Sequence, residues 1–84
     1  MNEGGRPKKY ETIEEVESIV NEYFENCDSK HIPYTVTGLA LALDIDRRTL
    51  LRWCDESDKF CPTIRKAKLR VENYLEQQLY KKMV

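Results

Sequence analysis

Apolar residues recur along this chain at intervals of three and four, interrupted by short polar runs, and that rhythm predicts four helices. The first run is Ile13, Val16, Ile19, Val20, Tyr23, Phe24 and Cys27, one stripe over residues 12–28. Thr12 stands three before Glu15, the spacing of a capping box, and so marks where that helix opens. The next residues, 29–34, contain Pro33 and read as a loop, with His31 in solvent. Thr35 can cap a second helix over 35–43, whose Leu39, Ala40 and Leu43 share a face. Asp44, Ile45 and Asp46 make a tight connection, and Asp46 is a good cap for a third helix over 47–55. Glu56, Ser57 and Asp58 then break the pattern. Pro62 fits the first turn of a fourth helix over 62–80, because its missing N–H has no intrahelical partner to lose there. Ile64, Ala67, Val71 and Tyr74 form one line on that helix, and Leu75 and Leu79 extend round its side.

The fold expected is therefore all-α, a single four-helix domain over 10–84 with a long last helix. Residues 1–9 lack the apolar side chains needed to pack and are expected to be a disordered basic arm. A chain of 84 residues has room for one core, and three glycines and three prolines suit helices better than a turn-rich β architecture. No apolar run approaches a membrane span and no signal-peptide core follows the start, so a soluble, cytoplasmic protein is expected.

Chemistry enters mainly by exclusion. Cys27, Cys54 and Cys61 are odd in number and match no zinc spacing, and His31 has no ligand beside it. They read as small hydrophobic thiols, with no metal or other cofactor expected. There is no phosphate-binding Gly loop and no recognisable Cys–His pair, so the chain is not expected to be an enzyme.

The net charge of −1 conceals an arrangement in blocks. Residues 1–9 carry +2, residues 10–30 carry −6, residues 31–58 carry −2 and residues 59–84 carry +5. Within a Debye length of ~8–10 Å, local blocks matter more than their sum. The first helix thus presents an acidic surface opposite its apolar stripe. The fourth carries Arg65, Lys66, Lys68 and Arg70, which read equally as phosphate contacts or as a solvated face.

The pair formed by the second and third helices has the pattern of a helix-turn-helix over residues 35–53. Ala40 is small where the two helices approach, Leu39 and Leu43 face inward, Ile45 plugs the turn, and Leu50 and Trp53 anchor the third helix. Position 44 needs a left-handed backbone; glycine is usual there, and Asp44 tolerates that conformation better than most residues. With Leu50 and Trp53 turned inward, Arg47, Arg48, Leu51 and Arg52 must point outward. Arginine can take guanine O6 and N7 bidentately in the major groove, which makes this a recognition helix for duplex DNA. The competing reading is a solvated face paired to Asp44, Asp46 and Asp55. Thr35 and Thr37 stand at the start of the preceding helix, where they would face a phosphate or, for Thr35, serve simply as a cap. In the arm, Gly4-Gly5-Arg6-Pro7-Lys8-Lys9 is similar to the Gly-Arg-Pro core of minor-groove arms, so Arg6, Lys8 and Lys9 are further DNA candidates; a plain flexible tail is the alternative.

These segments together resemble the small subunit of the tailed-phage DNA-packaging terminase. The resemblance rests on Gly5-Arg6-Pro7-Lys8-Lys9-Tyr10, on Thr35-Val36-Thr37-Gly38-Leu39-Ala40-Leu41 leading into Leu50-Leu51-Arg52-Trp53, and on Ile64-Arg65-Lys66-Ala67-Lys68. It implies sequence-specific binding of phage DNA at the packaging start site. It also implies a terminase large subunit as partner, holding the ATPase and nuclease, and a homo-oligomeric ring built by helices that follow the DNA-binding domain. The apolar set of the fourth helix is broader than a three-helix core can bury, so the helix is expected to self-associate or the chain to be the front part of a longer protein, and the resemblance implies continuation past Met83-Val84. A transcriptional regulator with the same motif is the alternative function.

Overall fold

The computed structural model describes residues 10–83, and the arm of residues 1–9 with Arg6, Lys8 and Lys9 lies outside them. Four helices follow in order: α1 (Ile13–Lys30), α2 (Val36–Leu43), α3 (Arg47–Arg52) and α4 (Cys61–Met83). Among the described residues there is no strand, and the fold is all-α as the pattern predicts.

Each of the first three helices opens on a side-chain oxygen. Glu15 N–H donates to Thr12 Oγ1 at 3.2 Å, while Thr12 N–H and Glu11 N–H donate to Glu15 Oε1 at 3.0 and 2.9 Å. The capping box read from Thr12 and Glu15 is thus formed, and it satisfies amides that no helical carbonyl can reach. Thr35 Oγ1 accepts Gly38 N–H at 2.8 Å, and Asp46 Oδ1 accepts Thr49 N–H at 2.7 Å.

Two helices end the same way. At the end of α2, Asp44 adopts φ 58° and ψ 44°, Ile45 N–H reaches Ala40 O at 3.0 Å, and Asp44 N–H reaches Leu41 O at 3.0 Å. That is a Schellman motif, with Ile45 folded back over Ala40. The left-handed Asp44 expected of the turn is present. His31 ends α1 by the identical device, at φ 57° and ψ 40°, with Ile32 N–H on Cys27 O at 3.0 Å. His31 is in solvent, as its loop position predicts, and in addition caps a helix, a role that its neighbours in sequence do not announce.

The core gathers one face of every helix: Val16, Val20 and Phe24 of α1, Leu39, Ala40 and Leu43 of α2, Leu50 of α3, and Ile64, Ala67 and Val71 of α4. Phe60, from the turns before α4, joins them and meets the half-buried Trp53 in a tilted ring contact, 4.8 Å between centroids. Tyr10 closes the opposite edge of Trp53 at 6.1 Å and donates its hydroxyl to Leu43 O at 2.7 Å.

Boundaries shift in three places. Helix α1 continues to Lys30 and α4 spans Cys61–Met83 rather than 62–80. Helix α3 stops at Arg52 instead of reaching residue 55. Beyond it Cys54, Asp55, Asp58 and Cys61 N–H each bond a carbonyl three residues back, at 2.9–3.1 Å, so the chain tightens into successive turns. Asp55 holds Ser57 N–H and Asp58 holds Phe60 N–H, both at 2.9 Å, and these side-chain bonds compete with helix continuation.

Candidate nucleic-acid interface

The α2–α3 pair is held in place from behind. Tyr23 of α1 donates its hydroxyl to Thr35 O at 3.1 Å and accepts Thr35 N–H at 2.9 Å, clamping the residue that caps α2. The clamp needs Gly38: a Cβ there would lie 2.5 Å from the Tyr23 hydroxyl and 2.8 Å from Thr35 Oγ1. At the other end, Ile45 and the fully buried Leu43 and Leu50 lock the connection to the core.

With Leu50 and Trp53 against the core, the outer side of α3 carries Arg47, Arg48, Leu51 and Arg52, all exposed. A helix advances ~100° per residue, so these four fall within an arc of ~140°, with Leu51 between Arg47 and Arg48 and Arg52 at the far side. The four residues are thus brought together on one surface, as the sequence reading expected. Thr37 is exposed on the first turn of α2. Thr35 is exposed too, but its oxygen is engaged with Gly38 N–H and its backbone with Tyr23.

Two of the carboxylates near these arginines, Asp46 and Asp55, each accept a backbone amide. Thr49 N–H is the chief cause that holds the Asp46 carboxyl below its usual range, and the nearby charges of Arg48 and Arg52 lower it further. Asp55 is held down first by Ser57 N–H and the Ser57 hydroxyl, and the cation it feels is Arg65. Arg65 pairs with Glu56 at 3.8 Å, both residues lying outside α3.

The basic run of α4 divides. The Arg70 guanidinium lies over the buried Phe24 ring at 4.0 Å, so it packs α4 onto α1. Tyr34 wedges between the same elements, against Phe24 at 4.6 Å and stacked on Tyr74 at 4.9 Å, and donates its hydroxyl to Asp28 at 2.7 Å. Lys66 and Arg70 border a shallow groove of about 260 Å³ with Glu17 and Asn21 opposite and Val20 and Ala67 beneath. Cys27, Cys54 and Cys61 are free, and each thiol donates to a backbone carbonyl.

A family model described as DNA-packaging protein gp3 matches residues 5–84. The chain belongs to this family. No curated protein and no solved structure gives a match. Membership in the gp3 packaging family assigns the chain to phage DNA packaging. No helix among the described residues is long and apolar enough to cross a membrane.

Four residues of this family member have packing roles that the residue pattern does not announce: Tyr10, Gly38, Phe60 and Arg70. Tyr10 lies outside every helical repeat, and Phe60 falls between the break at residues 56–58 and the helix expected from Pro62. Gly38 carried a signal, since glycine inside a short helix costs about 1 kcal/mol against alanine and calls for a reason. Arg70 gave none, because an arginine on a basic face looks the same whether it meets a phosphate or a ring.

Proposed function

We propose that this gp3-family chain is the small subunit of a tailed-phage packaging terminase, or its DNA-binding part, and that it recognises duplex DNA at the packaging start through a helix-turn-helix formed by α2 and α3. The observation that carries the proposal is the outward face of α3. Arg47, Arg48 and Arg52 cluster there around Leu51, while Leu50 and Trp53 fix the helix from behind. A helix so anchored can enter a major groove and present guanidiniums to guanine edges, and Thr37 at the start of α2 stands ready for a backbone phosphate. The acidic outer face of α1 repels a phosphate backbone and thereby favours approach from the α3 side. The role is recognition and hand-over, with the chemistry of packaging left to a large subunit that binds this protein, and the working form is a homo-oligomer. A transcriptional regulator would use the same surface; family membership favours packaging.

The test is selection of a preferred duplex from random DNA, followed by titration of variants. Arg48→Ala and Arg52→Ala should each weaken binding to the selected site by about 1–3 kcal/mol and relax base preference at one position. Wild-type affinity in both variants would remove α3 as the recognition element.

A further inference from the structure

Leu51 is 49% exposed at the middle of a face whose other members are all cationic. Among the described residues Leu51 takes no part in the core, and the neighbouring Leu50, fully buried, already anchors α3. Arg47 lies four residues before Leu51 and Arg48 three before it, so the leucine is flanked by these two guanidiniums on one helical surface, with Arg52 at its far side. A partner that fits this surface is a polyanion with a small apolar feature set among hydrogen-bond acceptors. A duplex major groove has that composition: guanine N7 and O6 accept from arginine, and the thymine 5-methyl is the apolar group displayed beside them.

We propose that Leu51 is a specificity-determining residue that reads a thymine methyl group, so that the site preferred by α3 contains a thymine adjacent to a guanine contacted by Arg48 or Arg52. This rests on the reading of α3 as the recognition helix and adds the base that its apolar member selects. Burying one methyl against the leucine corresponds to about a fourfold gain in affinity, while a uracil at the same place offers the same acceptors without the methyl.

The experiment uses the selected duplex and versions in which each thymine in turn is replaced by deoxyuridine, titrated with the wild-type chain, Leu51→Ala, Arg48→Ala and Arg52→Ala. Wild type should lose about threefold to tenfold at one particular thymine-to-uracil position. Leu51→Ala should bind the thymine duplex more weakly by a similar factor and be indifferent to uracil at that position. Its thermal midpoint should stay near that of wild type, because the side chain is solvent-facing. Equal thymine-to-uracil ratios for wild type and Leu51→Ala, or no sensitive thymine at all, overturn the assignment. If the arginine variants lose affinity in that same experiment, only the role of Leu51 falls; if they too bind like wild type, the recognition-helix reading falls with it.

Discussion

His31 and Asp44 occupy left-handed backbone, the two non-glycine residues that do so among those described. That conformation costs an L-residue roughly 1–2 kcal/mol, less for Asp, because Cβ crowds the following carbonyl. At the exposed His31, His31→Gly should therefore raise stability by about 0.5–1 kcal/mol and His31→Val should lower it by about as much or more, read from urea midpoints. Equal midpoints for the two variants would show that the turn relaxes to accept either. The caps also carry a pH signature. Backbone bonds from Thr12 and Glu11 hold the Glu15 carboxyl below its usual range, and Thr49 N–H does the same for Asp46. A carboxyl lowered in the folded state contributes fully above its unfolded value, and that contribution is lost as pH falls through the lowered folded value. Stability should accordingly fall below about pH 4, and Glu15→Gln and Asp46→Asn should flatten the decline. A thermal midpoint that follows pH identically in wild type and both variants would rule the caps out as its source.

Among the elements, α2 shows how packing reverses an intrinsic preference. In an isolated helix Gly38→Ala would gain about 1 kcal/mol. Here the added methyl enters the space of the Tyr23 hydroxyl and of Thr35 Oγ1, so the clamp and the cap must yield together. The expected outcome is a loss of about 1–2 kcal/mol, the scale of a hydrogen bond or a cap. The loss should be non-additive with Tyr23→Phe, since both changes act on one hydroxyl. A Gly38→Ala variant more stable than wild type would show that α2 can shift away from α1. Helix α4 shows another kind of override: of a basic run readable from sequence as one face, Arg70 is committed to Phe24 and Arg65 to Glu56, so the run does not act as one surface.

At the scale of the whole molecule, the described residues form an elongated body, 53 × 26 × 21 Å, because α4 outruns the core. Its last fully buried residue is Val71, whereas Leu75, Leu79, Tyr80 and Met83 are 50–83% exposed. This stripe is where the proposed homo-oligomer would form. A single α2–α3 unit offers few contacts and should bind non-specific DNA at about 10⁻⁴–10⁻⁶ M, while linked units gain roughly 10²–10⁴ in avidity. Light scattering and DNA titration on the same samples should find mass rising with concentration and affinity rising with mass. Leu79→Glu should hold the chain at monomer mass, weaken binding at least about tenfold and make the thermal midpoint independent of protein concentration. Nanomolar binding by a proven monomer at about 0.15 M salt would overturn the need for assembly.

What local chemistry determines was legible in the residues themselves. The Thr12–Glu15 box, the caps at Thr35 and Asp46, the left-handed Asp44 and the inward stripe of each helix depend on neighbours within four positions, and periodicity reports such neighbours directly. The outward face of α3 followed too, because burying Leu50 and Trp53 leaves Arg47, Arg48, Leu51 and Arg52 no other direction. What remained hidden depends on partners remote along the chain. Tyr10 meets Leu43 and Trp53, Tyr23 meets Thr35, Phe60 meets Trp53, and Arg70 meets Phe24. Only the docking of α1 and α4 around the α2–α3 pair brings those groups within reach, and a pattern read along one helix holds no information about which side chain another helix will bring to it.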